Sequence, residues 1–163
     1  MLNEEEYSIQ LHRLYNDVVK SWPACRNANI CESDASLTLQ IDSAHAISAS
    51  LRTTRLSYVE VKVIYSKIYR EPLLLFRIWD FEEDNDIPSY TLVFPKDIDS
   101  IVNKSADNCN SMTQFSVSLD IFNGEVWFNI HPCDTTDIVG DDNDFKNDYL
   151  NRWFSVFALS WLN

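Results

Sequence analysis

The stretch Phe115-Ser116-Val117-Ser118-Leu119-Asp120-Ile121-Phe122-Asn123-Gly124-Glu125-Val126-Trp127-Phe128-Asn129-Ile130-His131-Pro132-Cys133 decides how this chain reads. Apolar and polar residues alternate from Phe115 to Ile121, and Val126 to Ile130 is rich in β-branched and aromatic residues, the signature of two strands. Asn123-Gly124 sits between them, and both residue types tolerate positive φ, so a tight hairpin is predicted. The second strand runs straight into His131-Pro132-Cys133. Pro132 has a fixed φ and no N–H, so it ends the pairing and holds the next residue off the ladder. Cys133 is therefore expected at a strand exit, at the mouth of a loop, where its thiol is accessible to another macromolecule.

Upstream, Tyr7, Leu11, Leu14, Tyr15, Val18 and Trp22 recur at spacings of three and four, one face of an amphipathic helix capped near Asn3 and stopped by Pro23. Cys25 and Cys31 fall in the connection after it. Leu37 to Ile41 and Tyr58 to Val63 alternate like strands, with a Ser-, Ala- and Thr-rich connection over 43–54. Leu73 to Trp79 is a near-continuous apolar run, long enough for a central buried strand. The acids Asp80, Glu82, Glu83, Asp84 and Asp86 predict a solvated turn closed by Pro88, followed by a short strand from Tyr90 to Phe94. Asp97 is placed to cap a short helix through Val102, and 103–112 reads as a polar loop. Downstream of the hairpin, Phe145, Tyr149, Leu150, Trp153, Phe154, Phe157 and Trp161 keep helical spacing, with an apolar face that widens toward the end. The order predicts an α+β fold: one meandering antiparallel sheet with helices on one face and at its ends, in one domain over residues 1–163.

With 163 residues the chain can bury a core without staples. Its two glycines, Gly124 and Gly140, exclude a phosphate-cradling loop and a dinucleotide fingerprint. Thirteen basic against 25 acidic residues leave a net charge of −12, which repels phosphate backbones, so nucleic acid is not an expected partner and basic protein surfaces are. Met1-Leu2-Asn3-Glu4-Glu5-Glu6 has neither the basic nor the apolar region of a signal peptide, and no apolar run spans a bilayer. In the reducing compartment this implies, Cys25, Cys31, Cys109 and Cys133 are expected as thiols. No metal site is expected, because no ligand spacing in the chain matches one.

Cys133 could serve as a nucleophile in two ways. A hydrolytic cysteine needs a histidine base and a lowered pKa. His131 is close in sequence, but Pro132 restricts how the two can turn together, and backbone hydrogen bonding in a turn accounts for it equally well. His12 and His45 stand in no revealing context. Asp134, Asp137, Asp141, Asp142, Asp144 and Asp148 follow within fifteen positions, against Lys146 alone. Like charges disfavour a thiolate, so its pKa should not be depressed. A cysteine that receives an acyl group by exchange and hands it to an amine suffers less, and the acids would attract an incoming lysine. A non-catalytic interaction module with an acidic surface is the alternative reading.

At His131-Pro132-Cys133-Asp134-Thr135 the sequence resembles the fungal autophagy-related protein ten family, the E2-like enzymes of autophagy. The likeness extends over Tyr65-Ser66-Lys67-Ile68-Tyr69, Glu71-Pro72-Leu73-Leu74-Leu75 with Arg77-Ile78-Trp79, Ile138-Val139-Gly140, and Arg152-Trp153 through Ser160-Trp161-Leu162. It covers most of the chain from about Tyr58 onward. The resemblance implies an E2-like core of an N-terminal helix and an antiparallel sheet, with an extra strand pair before the active cysteine. It also implies a transferase. Cys133 would accept the C-terminal glycine of the ubiquitin-like autophagy protein twelve as a thioester from the E1-like autophagy protein seven. It would then pass the acyl group to a lysine of autophagy protein five. No cofactor of its own is implied, since the E1 consumes the ATP. The implied place is the cytoplasm, peripheral at the site of autophagosome formation. Ordinary E2 enzymes carry His-Pro-Asn several residues before the cysteine, with the asparagine assigned to the oxyanion or its loop. Here Cys133 fills the slot after His-Pro. Asn129 is the nearest asparagine, and it shares a side with His131 and Cys133 only if the strand stays regular through Pro132. Thr135 reads as a cap or turn residue. Which surface meets which partner, and what deprotonates the lysine, are not written in the sequence.

Overall fold

The computed structural model describes residues 2–42, 57–84, 87–107, 114–130, 139–140 and 148–162, and of residues 84 and 104–107 the backbone alone. The chain enters through α1 (Glu4–Asp17), which starts where Asn3 and Glu6 satisfy each other's backbone: Glu6 N–H donates to Asn3 Oδ1 at 2.8 Å, and Asn3 N–H to Glu6 Oε2 at 3.1 Å. This reciprocal cap, with three glutamates in the first turn, satisfies orphan donors and complements the helix dipole. The buried residues Tyr7, Gln10, Leu11 and Leu14 form one stripe. The helix ends at Asp17, short of the expected stop at Pro23. A 3-10 turn, Val19–Ser21, follows it, and Trp22 reaches the core from beyond the turn, edge-on to Phe154 at 6.0 Å.

Seven antiparallel strands follow: β1 (Cys25–Cys31), β2 (Ser36–Asp42), β3 (Tyr58–Ser66), β4 (Glu71–Asp84), β5 (Ile87–Val93), and, after α2 (Ile98–Asp107), β6 (Val117–Phe122) and β7 (Glu125–Ile130). Their order is β1-β2-β3-β4-β7-β6, with β5 on β4. The C-terminal helix comprises α3 (Tyr149–Phe154), a π turn (Ser155–Leu159) and α4 (Ser160–Leu162). The expected α+β architecture is present, and its strand-pairing scheme is more complex than a meander. β4 is long enough to divide one edge between two partners: Leu74 to Phe76 pair with β7, and Ile78 to Asp84 pair with β5. Its other edge carries β3 from Glu71 to Trp79.

Three local expectations are corrected. Cys25–Cys31 is an edge strand and not a connection. Its inward positions hold Ala28 and Ile30 among polar residues, too few apolar side chains to announce a strand, and pairing with β2 decides the matter. The acids from Asp80 to Asp84 belong to β4. They lie on a two-stranded ribbon with β5, where Glu82 and Glu83 stay in water and Phe81 packs on Tyr90 at 5.3 Å. Pro88 sits inside β5, which a proline tolerates on an edge strand. The helix after Asp97 runs on to Asp107.

Alternation sends Leu37, Leu39, Ile41, Val59, Val61, Val63, Leu74, Phe76, Ile78, Phe128 and Ile130 to one face, where α1 and the C-terminal helix cover them in the main core. A smaller cluster of Ile64, Leu75 and Trp127 lies apart from it. Beside it the Arg77 guanidinium, only 8% exposed, donates to Glu60 at 2.9 and 3.0 Å and to Glu125 at 3.1 Å, and lies 3.9 Å from the Trp127 ring centroid. Its charge is paired and its donors are used, which is the condition for burying it. This group joins β3, β4 and β7.

The predicted hairpin is present: Phe122 pairs with Glu125, and Asn123 and Gly124 take φ of 52° and 79°. An added Cβ at Gly124 would meet nothing within 4 Å, so the penalty there is conformational alone. Gly124→Ala should lower stability by about 1 kcal/mol, read as a fall of ~2–4 °C in thermal midpoint. Gly124→Val should be worse, since a β-branched side chain adapts less well to positive φ.

Candidate active site: the exit of β7 and its frame

β7 is held on both sides. Ile130 pairs with Leu74 of β4 and Val117 of β6, and Asn129 with Leu75 and Ser118. Ile130 is 2% exposed and Asn129 9%. A buried aliphatic residue paired on both flanks makes the strand's end firm one residue before His131. His131, Pro132, Cys133, Asp134 and Thr135 lie outside the described residues, as do His45 and Cys109.

Asn129 faces the side of the sheet that carries Leu75 and Trp127, by its register with Leu75. Its side-chain Oδ1 is buried and has no hydrogen-bond partner among the described residues. Buried amide oxygens are normally satisfied, so this one marks a place where polar chemistry remains to be met.

The frame around the strand exit is built from three other segments. Along β4, the residues beyond Leu74 are Leu73, Pro72 and Glu71. The Glu71 carboxylate is buried and accepts from the Tyr149 hydroxyl at 2.5 Å. Leu150 N–H donates to Gln10 Oε1 of α1 at 2.9 Å. Arg152 Nη1–H donates to the Val139 carbonyl oxygen at 2.7 Å. Thus residues 149–152 reach β4, α1 and the chain at Val139. The Tyr65 hydroxyl, on β3 opposite Pro72, donates to Leu2 O at 2.7 Å and closes the same end of the sheet.

The other described thiols lie elsewhere. Cys25 and Cys31 are half-buried on β1, at the opposite edge of the sheet from β7 and β6. Burial pushes the Cys25 thiol up, a backbone hydrogen bond from Asn27 offsets part of this, and Asp42 adds to the rise. A thiol with a raised pKa is a poor nucleophile. His12 also lies by β1, where its Nε2 meets Glu32 Oε1 at 3.3 Å, so it is no base for the β7 exit.

The sequence flagged neither Glu71, Tyr149 nor Gln10 as polar partners. Tyr149 reads as one more member of an apolar helical face, and a glutamate at the start of a strand reads as solvated. The stretches Ile138-Val139-Gly140 and Arg152-Trp153 were visible as separate motifs, and their hydrogen bond to each other was not.

A helix-flanked antiparallel sheet, with a framed strand exit leading into His-Pro-Cys, defines the class as an E2-like conjugating enzyme. The family described as autophagocytosis associated protein, active-site domain, matches residues 3–161. The chain is 35% identical over 169 aligned positions to the ubiquitin-like-conjugating enzyme ATG10 of Saccharomyces cerevisiae strain YJM789, covering 99% of this chain and 97% of that one. It is 32% identical to ATG10 of Candida glabrata, covering 97% and 96%. Among solved structures, one described as a crystal structure of the autophagic E2 Atg10 superposes with a TM-score of 0.76 at 32% identity, covering 100% of this chain and 98% of that one. A solution structure of KmAtg10, at 23% identity and a TM-score of 0.66, shares the fold over 100% and 99% of the two chains. The chain belongs to the Atg10 family of E2-like autophagy enzymes.

Proposed function

We propose that this chain carries the ubiquitin-like autophagy protein twelve as a thioester on Cys133, taken from the E1-like autophagy protein seven, and transfers it to a lysine of autophagy protein five. As an E2-like conjugating enzyme it works between an E1-like enzyme and a ubiquitin-like protein. The observation that carries the reading is the His131-Pro132-Cys133 run, which begins one residue after a strand end paired on both flanks.

In the first step the Cys133 thiolate attacks the carbonyl carbon of the E1-bound thioester. A C–S bond to Cys133 forms, the C–S bond to the E1 cysteine breaks, and the E1 sulfur leaves as a thiolate. In the second, the uncharged amine of the acceptor lysine attacks the Cys133 thioester. A C–N bond forms, the Cys133 thiolate is expelled, and the amine proton passes to water. Cys133 passes from thiolate to uncharged thioester on loading and back to thiolate on discharge, so the waiting carrier is neutral, which suits an acidic surrounding better than the standing thiolate of a hydrolase does. His131, Pro132, Asn129, Asp134 and Thr135 are the supporting residues of this reading. In it Pro132, which has no N–H to donate, would end the ladder ahead of the thiol, Asn129 is the carboxamide nearest in sequence for an oxyanion, and Asp134 would attract the lysine. The chain needs no cofactor in this scheme, because ATP is spent on the E1. The scheme places it in the cytoplasm, peripheral at the site of autophagosome formation. No helix among the described residues is long and apolar enough to cross a membrane.

The test mixes the chain with the E1-like enzyme, the ubiquitin-like protein and ATP, and resolves the products on a non-reducing gel. An adduct that a thiol reductant removes is expected, and adding the acceptor should convert it to one that the reductant leaves intact. Failure to form any adduct from a charged E1, or formation of only a reductant-resistant one without acceptor, refutes the proposal.

A further inference from the structure

We propose that the open edge of β1, together with the cavity between it and α1, is a docking site for an extended segment of a partner protein in which aliphatic and basic side chains alternate. The site lies at the opposite edge of the sheet from β7 and β6, so the proposal does not rest on the reading of Cys133.

Three observations carry it. The first is the direction of the backbone. Asp42 N–H donates to Ala24 O at 2.8 Å. Successive N–H groups of a strand point to opposite sides, so those of Gln40, Thr38 and Ser36 also point toward β1. Their partners are Asn27, Asn29 and Cys31. The N–H and C=O groups of Ala28 and Ile30 therefore point away from β2, and among the described residues no other strand lies beside β1. The other edge strands are blunted. On β6 the Val117 and Ile121 N–H groups donate to the carboxylates of Asp99 and Asp120 at 2.6 and 2.7 Å, and β5 carries Pro88. Such devices keep foreign strands off an edge. β1 has no proline, and its one irregularity, between Cys25 and Asn27, lies before Ala28.

The second is the cavity beside that edge. It measures about 280 Å³ and is lined by His12, Tyr15 and Asn16 of α1 with Ala28, Ile30 and Glu32. Tyr15, Ala28 and Ile30 pack against the main core and give it an apolar floor. Its volume falls just below the roughly 300–1,000 Å³ of small-molecule sites and is ample for one aliphatic side chain. A strand hydrogen-bonded to Ala28 and Ile30 would send every second side chain to the cavity's side of the sheet. In strand addition the main-chain bonds give affinity and such a pocket gives specificity.

The third is charge. Glu32 stands at the rim with its side chain 75% exposed and one oxygen 3.3 Å from His12 Nε2. Lys20 is already engaged beside Tyr15: its Nζ donates to Asn16 Oδ1 at 2.8 Å and lies 5.1 Å from the Tyr15 ring centroid. The chain as a whole carries −12. A segment bearing lysine or arginine is drawn to this edge, and an acidic one is repelled.

The experiment uses the full chain and a pool of end-blocked heptapeptides in which lysine alternates with valine, isoleucine or leucine. With the pool at about 1 mM, exchange of the Ala28 and Ile30 amide protons, read by NMR, should slow about tenfold or more. Those of Asn27 and Asn29, already directed at β2, should change less than twofold. A pool with glutamate in place of lysine should bind at least tenfold more weakly. So should a lysine pool N-methylated at alternate residues, which keeps charge and side chains and loses main-chain donors. Ala28→Phe fills the cavity and should lower affinity about tenfold. Glu32→Gln should lower it severalfold and narrow the preference for lysine over glutamate; Glu32 is exposed, so this variant carries the test even if Ala28→Phe does not fold. No slowing at Ala28 and Ile30, equal binding of the lysine and glutamate pools, or undiminished binding of the N-methylated pool overturns the proposal. If the same protons slow with protein concentration alone, the occupant is a second copy of this chain and the proposal fails.

Discussion

Cys133→Ala should form no reductant-labile adduct with the ubiquitin-like protein, even with a fully charged E1 and excess ATP. Alanine removes the only atom that could hold the acyl group while leaving a residue of similar bulk after Pro132, so folding should be retained, and an unchanged thermal midpoint checks this. Cys133→Ser separates the carrier role from a binding role. At neutral pH a few per cent of an ordinary thiol is already thiolate and nucleophilic, whereas a hydroxyl needs a base to act. The serine variant should therefore load much more slowly, and the oxyester it forms should persist when the thioester would have discharged. Cys25→Ala is the control. It sits on the far edge of the sheet with a pKa raised by burial, and its loss should leave loading unaltered. Adduct formation on Cys133→Ala, or its loss in Cys25→Ala, contradicts the assignment.

The second large effect concerns stability. Trp161 is fully buried, its Nε1–H donates to Phe157 O at 2.6 Å, and its ring lies 4.8 Å from that of Phe76. Phe76 in turn stacks on Phe128 at 5.2 Å, and Phe94 packs on Phe128 at 5.7 Å. This line of rings joins the last turn of the chain to β4, β7 and the residue after β5. Trp161→Ala removes the largest side chain in that line and leaves a cavity between helix and sheet, which should lower stability by ~3–5 kcal/mol. Against a typical total of about 5–15 kcal/mol, that is enough to leave the protein marginal. For a chain of this size it corresponds to a fall of roughly 6–20 °C in thermal midpoint. Trp161→Phe keeps most of the volume and loses the N–H bond, so it should fall well short of that. Calorimetry on both variants checks the order. A Trp161→Ala protein as stable as its parent would mean that the helix is held by its polar anchors alone.

The legible parts of the fold are those written in contiguous residues. Asn3 and Glu6 spell out a reciprocal cap, Asn123-Gly124 spells out a two-residue turn, and Tyr58 to Val63 shows its alternation openly. β1 was hidden because an edge strand needs few apolar residues, and Ala28 and Ile30 are too few to signal one. The acids from Asp80 to Asp84 were misread because charge normally marks a turn, yet a ribbon open to water on its charged positions accommodates them. At the candidate site, the sequence shows Cys133 and the proline before it, because a chain break at a strand end is a local property of proline. It does not show Glu71, Tyr149, Gln10 and Arg152 converging behind that exit, because each has an ordinary local explanation.

By itself the sequence determined α1, the openly alternating strands, the turn that joins β6 to β7, and the nucleophile candidate beyond the end of β7. All of these follow from torsional limits and side-chain period within a few residues. Tertiary structure alone decided that β4 shares one edge between β5 and β7, that Arg77 is buried against two tryptophans and two glutamates, and that Arg152 meets the carbonyl of Val139 thirteen residues earlier. Such contacts join residues distant along the chain. They are selected by which buried surfaces fit and which buried polar groups find partners, and neither condition is imposed by any one segment.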